Sequence, residues 1–128
     1  MANSAGVFLT IVIPAYNEES RIGPTLARVR GYLAGKDFAS EVVVVDDGSV
    51  DRTAAVATES LPASPEGRLL SRARNRGKGY TVREGVLAAR GDWILFSDAD
   101  LSTPIEEMDK FLARLDEGFD VLIGSRAL

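Results

Sequence analysis

The stretch EVVVVDDGS, residues 41–49, decides the fold. Val42 to Val45 are consecutive β-branched residues with no polar alternation, and Asp46-Asp47 stop them. A half-solvated strand would alternate apolar and polar. A run apolar on both sides reads as a strand buried on both faces, the habit of parallel sheets covered by helices. The same pattern recurs along the chain. Phe8 to Ile13 ends at Pro14, Trp93 to Phe96 ends at Ser97-Asp98, and Val121 to Ile123 ends at Gly124. Arg68 to Ser71 reads as a weaker edge strand.

The intervening segments carry helical spacing. Ile22, Leu26, Val29 and Leu33 form one apolar stripe. Val82, Val86 and Ala89 form a second, and Ile105, Met108, Leu112 and Leu115 a third. Thr103-Pro104-Ile105-Glu106 supplies an N-cap, a first-turn proline and a capping-box glutamate for the third. Gly91 reads as the C-cap of the second, and Ser49 as a cap for a short helix beginning near Asp51. Strand alternating with helix gives βα units. The expected fold is α/β, a three-layer α/β/α arrangement with a mostly parallel sheet in the order 3-2-1-4. The Val121 strand is expected beyond the fourth.

Composition narrows the chemistry. The chain has 128 residues, no cysteine and no histidine, which excludes disulfides, Cys or His metal sites, and Cys–His or Ser–His nucleophile pairs. Any metal must take oxygen ligands, and any proton-transfer group must be a carboxylate, Lys, Tyr or the substrate itself. A net charge of −4 argues against nucleic-acid binding. The apolar stretch from Val7 to Ala15 is interrupted by Thr10 and Pro14 and is too short to cross a bilayer. No basic leader precedes it, so no signal peptide is expected.

Ligands of open parallel sheets bind outside the carboxyl ends of the strands. That rule selects Pro14-Ala15-Tyr16-Asn17-Glu18-Glu19, Asp46-Asp47-Gly48-Ser49 and Ser97-Asp98-Ala99-Asp100. In Asp98-Ala99-Asp100, two carboxylates flank one small residue and can approach one hard divalent cation, Mg²⁺ or Mn²⁺. Such a cation would neutralise a departing diphosphate. Asp46 or Asp47 can accept hydrogen bonds from a base or a ribose, or can simply build the turn with Gly48. Tyr16 can stack on a base or cover the sheet end. Asn75-Arg76-Gly77-Lys78-Gly79 places glycines and a cation at a helix start, suited to a phosphate. It is not a Walker A loop, and no G-x-G-x-x-G follows the first strand. Arg126, after the last apolar run, is placed for an anion or for solvent.

Taken together, "TIVIPAYNEESRI", "VVVVDDGSVDRT", "NRGKG", "GDWILFSDADLSTPIEEM" and "DVLIGSR" resemble the family 2 glycosyltransferases of GT-A fold. The resemblance is nearest to polyprenyl-phosphate and dolichyl-phosphate enzymes. "SDADLSTPIEE" looks like the glucosyl branch using UDP-glucose, and the mannosyl branch using GDP-mannose is similar. The resemblance implies that Pro14, Ala15, Tyr16 and Glu18 line a nucleotide pocket, with Asp46 or Asp47 at base and ribose. It sets Lys78 near base or phosphate, and Asp98, Ala99 and Asp100 at the metal and diphosphate. Arg126 falls near the acceptor phosphate.

The family domain normally continues beyond this segment, so residues 1–128 are expected to be its truncated N-terminal, nucleotide-sugar-binding portion. The implied reaction moves a hexose onto a polyprenyl or dolichyl phosphate at the cytoplasmic face of a membrane. A phosphate acceptor is already an oxyanion, which accords with the lack of an evident base. A saccharide-hydroxyl acceptor, a nucleotidyltransferase and a non-catalytic nucleotide-sugar-binding module are the rival readings. An unpaired sheet edge would favour pairing between two copies.

Overall fold

The computed structural model describes residues 6–63, 65–100 and 104–117. The expected Val121–Ile123 strand and the Thr103 cap lie outside those residues.

Strands β1 (Leu9–Ala15), β2 (Ser40–Asp46), β3 (Gly67–Ser71) and β4 (Trp93–Phe96) alternate with helices α1 (Ile22–Ala34), α2 (Thr53–Ser60) and α3 (Lys78–Ala88). The sheet order is β3-β2-β1-β4 and every pairing is parallel. This is the order expected from the sequence. The Arg68–Ser71 segment is indeed an edge strand.

The Val/Ile runs fill both faces. Leu9, Ile11, Ile13, Val42 and Val44 pack with Ile22, Leu26, Val29 and Ala57 from α1 and α2. Val12, Val43 and Val45 point to the opposite face, where Leu70 joins them and α3 lies across β1 and β2. Each fully buried Leu or Ile contributes about 1.5–3 kcal/mol of transfer free energy, so α1 is held mainly by its Ile22, Leu26 and Val29 stripe.

Three local expectations differ. First, α3 does not bury Val82, Val86 and Ala89. Its buried positions are Thr81 and Gly85, while Val86 and Leu87 are exposed. The reason is steric. A Cβ at Gly85 would stand 2.3 Å from Val12 Cγ1, so the helix lies too close to β1 for a larger residue on that face. Second, Gly91 is not a helix cap. α3 ends at Ala88 with Ala89 extended, and Gly91 is pressed against β1, its N–H donating to Thr10 Oγ1 at 2.8 Å. Third, the expected third helix begins as a 3-10 turn, Ile105–Glu107, with Pro104 before it. Only Met108–Leu112, α4, is α-helical, and a second 3-10 turn covers Leu115–Glu117. Ile105 and Met108 still reach the core as the stripe required.

The register brings Ala15, Asp46 and Ser71 side by side at the carboxyl ends of β1, β2 and β3. The loops that leave these ends build the site.

Candidate functional site

The loops after β1 and β2 are stitched together. Asn17 has a left-handed backbone, φ 51°, which asparagine tolerates better than most residues. Its Oδ1 accepts the Val50 N–H at 3.0 Å, and its own N–H donates to Ser49 Oγ at 2.9 Å. Ser49 therefore holds the β1 loop and does not cap α2. The N-cap of α2 is Arg52, without a side-chain cap, and Asp51 Oδ1 accepts the Thr53 N–H at 2.9 Å where the helix begins. Hydrogen bonds from the Thr53 hydroxyl and backbone hold the Asp51 carboxyl below the usual carboxylate range.

The two aspartates ending β2 are both buried. Asp46 Oδ1 accepts the Ser49 N–H at 3.2 Å, and Oδ2 accepts the Ser71 hydroxyl at 3.1 Å. Asp47 reaches the opposite way. Its Oδ1 accepts the Arg76 N–H at 2.8 Å, and its Oδ2 the Gly77 N–H at 2.9 Å. Gly48, at φ +74°, packs so closely on this loop that a Cβ would meet the Arg74 carbonyl carbon at 2.3 Å. The DDGS turn thus fixes the backbone of the Arg74–Gly77 loop. Gly77, at φ +97°, then releases the chain into α3 with Lys78 as its first residue.

The third wall is Asp98-Ala99-Asp100. Ala99 is buried among core residues, while Asp98 and Asp100 are exposed. The Thr25 hydroxyl of α1 donates to the Ala99 carbonyl, anchoring the turn. A small middle residue can turn inward, so both flanking carboxylates turn outward to one rim. Lys78 crosses to this rim, its Nζ 2.7 Å from Asp98 Oδ1.

Between the three walls lies an open cavity of about 510 Å³. Of the residues expected from the sequence, Pro14, Ala15, Tyr16, Glu18, Asp47, Lys78, Asp98, Ala99 and Asp100 line it. Asp46 does not line it, being turned toward Ser49 and Ser71. Arg126 lies outside the described residues. Three more lining residues are Asn75, Gly77 and Thr81. Thr81 was not singled out from the sequence. It is buried in the first turn of α3, where its hydroxyl donates to the Gly77 carbonyl at 2.8 Å. Arg72 was missed too. It is largely buried, 3.9 Å from Asp47 Oδ1 and 3.4 Å from Glu84 Oε2, with its guanidinium 5.3 Å from the Tyr80 ring centre. An arginine just past a weak edge strand gives no sequence signal for such burial.

Among the described residues no group of three or more His, Cys, Asp or Glu gathers around one point. Asp98 and Asp100 offer oxygen donors only, exposed on one rim. That donor set suits a hard divalent cation completing its shell with phosphate oxygens and water, and Asp98 already attracts a cationic group.

The sequence pattern of Glycosyl transferase family 2 matches residues 10–128. The dolichyl-phosphate beta-glucosyltransferase of Mus musculus is 39% identical over 93% of this chain and 41% of its own length. A dolichyl-phosphate beta-glucosyltransferase of Trichomonas vaginalis is 38% identical over 94% of this chain and 39% of its own. The chain therefore spans about two fifths of these relatives. Among solved structures, glucosyl-3-phosphoglycerate synthase from Mycobacterium tuberculosis, in complex with Mn²⁺, UDP and glucosyl-3-phosphoglycerate, superposes with a TM-score of 0.67. It is 28% identical over 93% of this chain and 43% of that one. A mannosyltransferase from Pyrobaculum calidifontis in complex with GDP-Man and Mn²⁺ gives a TM-score of 0.62. It too is 28% identical, over 72% of this chain and 27% of that one. These neighbours agree with the expected GT-A architecture.

Proposed function

This chain belongs to glycosyl transferase family 2, and from that membership we propose that it binds a nucleotide-diphosphate sugar whose hexose is moved to a polyprenyl or dolichyl phosphate. UDP-glucose is the preferred donor and GDP-mannose the second. The relatives named for dolichyl-phosphate glucosyl transfer support that order. Residues 1–128 would be the nucleotide-sugar-binding portion of the family domain. The observation that carries the reading is the cavity at the carboxyl ends of β1, β2 and β4. There Tyr16, Asp47, Lys78, Asp98 and Asp100 share one rim.

Each residue has a defined task in this proposal. Tyr16 offers a ring face to the base. Asp47 has used one lone pair on each oxygen, and the remaining pairs can accept from a base N–H or a ribose hydroxyl. Lys78 and the first N–H groups of α3 face the diphosphate. Asp98 and Asp100 would hold Mg²⁺ or Mn²⁺. When bound, the cation supplies positive charge against the departing nucleotide diphosphate. The acceptor phosphate oxygen forms the bond to the anomeric carbon as the bond to the diphosphate breaks, with the electron pair leaving on the diphosphate. No proton has to be removed from such an acceptor, so the chain's work is to bind, align and stabilise charge. Arg126 would meet the acceptor phosphate. The lipid acceptor sets the reaction at a membrane surface, although among the described residues no helix is long and apolar enough to cross one.

Calorimetry with UDP, with and without MnCl₂, tests the site. Mn²⁺ should raise the affinity of the wild type for UDP, and Asp100→Asn should lose that gain while keeping its Mn²⁺-free affinity. Equal enhancement in both proteins defeats the assignment. Incubation with UDP-glucose and dolichyl phosphate tests the acceptor. Label passing to a saccharide and none to the lipid would favour a hydroxyl acceptor instead.

A further inference from the structure

We propose that Lys78 is an exchanging counter-cation. It neutralises Asp98 in the free protein and moves to the substrate diphosphate when a divalent cation takes Asp98. The inference rests on reading the cavity as a nucleotide-diphosphate site, and adds how this site couples metal to nucleotide.

Four observations meet at this point. The ammonium of Lys78 stands 2.7 Å from Asp98 Oδ1, a full hydrogen-bonded ion pair. Both side chains are more than half exposed, 68% and 53%, so the pair is weakly held and easily exchanged. Both residues line the same cavity as Asp100. Finally, the backbone beneath Lys78 is fixed while its side chain is not. Asp47 grips the N–H groups of Arg76 and Gly77 just before it. The flexible four-carbon stem can therefore swing from one anion to another without moving the loop.

The electrostatics set a direction. A divalent ion entering at Asp98 competes with the ammonium for the same carboxylate and repels it, which at an exposed site is a modest effect. The cation therefore favours release of the ammonium. Alone, that exchange exposes a lysine charge with no new partner, and metal binding stays weak. With a diphosphate in the cavity the released ammonium finds a second anion within its reach. Metal and nucleotide then favour each other through one side chain, and the coupling is reciprocal. A lysine that only held the phosphate would not compete with the metal for Asp98, and one that only braced Asp98 would not assist the nucleotide.

The test measures Mn²⁺ alone, UDP alone, and UDP with MnCl₂, on wild type, Lys78→Met and Lys78→Arg. Lys78→Met should bind Mn²⁺ without nucleotide about two- to fivefold more tightly than wild type, because the competing cation is gone. It should bind UDP about fivefold or more weakly, because a charged hydrogen bond is lost. The Mn²⁺-induced gain in UDP affinity should shrink. Lys78→Arg keeps the charge and should retain weak Mn²⁺ binding in the absence of nucleotide. In an Asp98→Asn background, Lys78→Met should no longer alter Mn²⁺ binding. Thermal unfolding checks that each variant is folded, and Lys78→Gln replaces Lys78→Met if it is not. Unchanged or weaker Mn²⁺ binding by a folded, uncharged variant overturns the exchange. If the wild type itself binds no UDP, the cavity reading fails and the exchange falls with it. If the wild type binds UDP with Mn²⁺ enhancement but Lys78→Met shifts both affinities the same way, only the exchange is lost.

Discussion

Replacing Glu41 with glutamine should cost more stability than any other charge-neutralising change in the described chain. Glu41 opens the valine run of β2, and its side chain is fully buried. Oε2 accepts the Thr10 hydroxyl at 2.7 Å and the Arg90 N–H at 2.7 Å. Oε1 accepts Arg68 Nη2 at 2.9 Å and Arg90 Nε and Nη2 at 3.0 and 2.9 Å. Through this carboxylate β1, β2, β3 and the turn before β4 are tied at their amino ends. Glu41→Gln keeps the shape but leaves two partly buried guanidinium groups without their counter-ion. Removing one partner from such a cluster costs about 3–5 kcal/mol. For a chain of this size that lowers Tm by about 12–20 °C. Burial pushes the Glu41 carboxyl up, but the hydrogen bonds from Arg90, Thr10 and Arg68 outweigh it and hold the carboxyl low. The folded state then binds fewer protons than the unfolded one across this range. The stabilisation is complete above the ordinary glutamate value of about 4.3, and is lost as pH falls through the lower folded value. Urea unfolding of both proteins between pH 7 and pH 2.5 should show a wide gap that narrows below pH about 4. A gap under about 1 kcal/mol at pH 7, or one that stays constant into acid, would refute the reasoning.

Gly85→Ala should destabilise by about 1–3 kcal/mol despite alanine's better helix propensity, because its Cβ would meet Val12 Cγ1 at 2.3 Å. Adding Val12→Ala should recover part of that loss in urea unfolding, and strictly additive losses would show that the two residues do not share the space. Asp47→Ala should weaken UDP binding by about 1–3 kcal/mol, since it removes both a carboxylate facing the cavity and the acceptor of the Arg76 and Gly77 N–H groups. Calorimetry returning the wild-type affinity would exclude either contribution.

The sheet was legible because its strands carry their own evidence. Val42–Val45 are apolar on both faces and Phe8–Ile13 nearly so, with Thr10 the one polar residue, which is the pattern of strands covered on both sides. The carboxylates after Val45 and after Phe96 marked one edge. α1 was legible for the same reason, since its stripe is built from large residues. α3 was misread because its contact face is made of absence. Gly85 and Thr81 let the helix approach β1, and a search for large apolar residues instead picks out Val86, which is exposed. The loop clasps were hidden too. Asn17 to Val50 and Asp47 to Gly77 join residues 33 and 30 positions apart, and one partner in each is a backbone N–H that no side-chain pattern reports.

β2 shows why site chemistry is harder to read than fold. Its valines are flanked by Glu41 on one side and by Asp46 and Asp47 on the other, and all three carboxylates are buried. From the sequence the two ends look alike. What separates them comes from 49 and 30 residues away. At the amino end, Arg90 and Arg68 supply cationic forks, so Glu41 accepts five hydrogen bonds and has no lone pair left for a ligand. At the carboxyl end, a glycine-containing loop supplies Asp47 with two backbone N–H groups, one per oxygen. That fixes the loop and leaves acceptor capacity facing the cavity. Saturated, a buried carboxylate is a brace. Half-saturated beside an open cavity, it can brace a loop and meet a ligand together. The valine run could carry charge at both ends only because one end was sealed by side chains and the other was held by main chain.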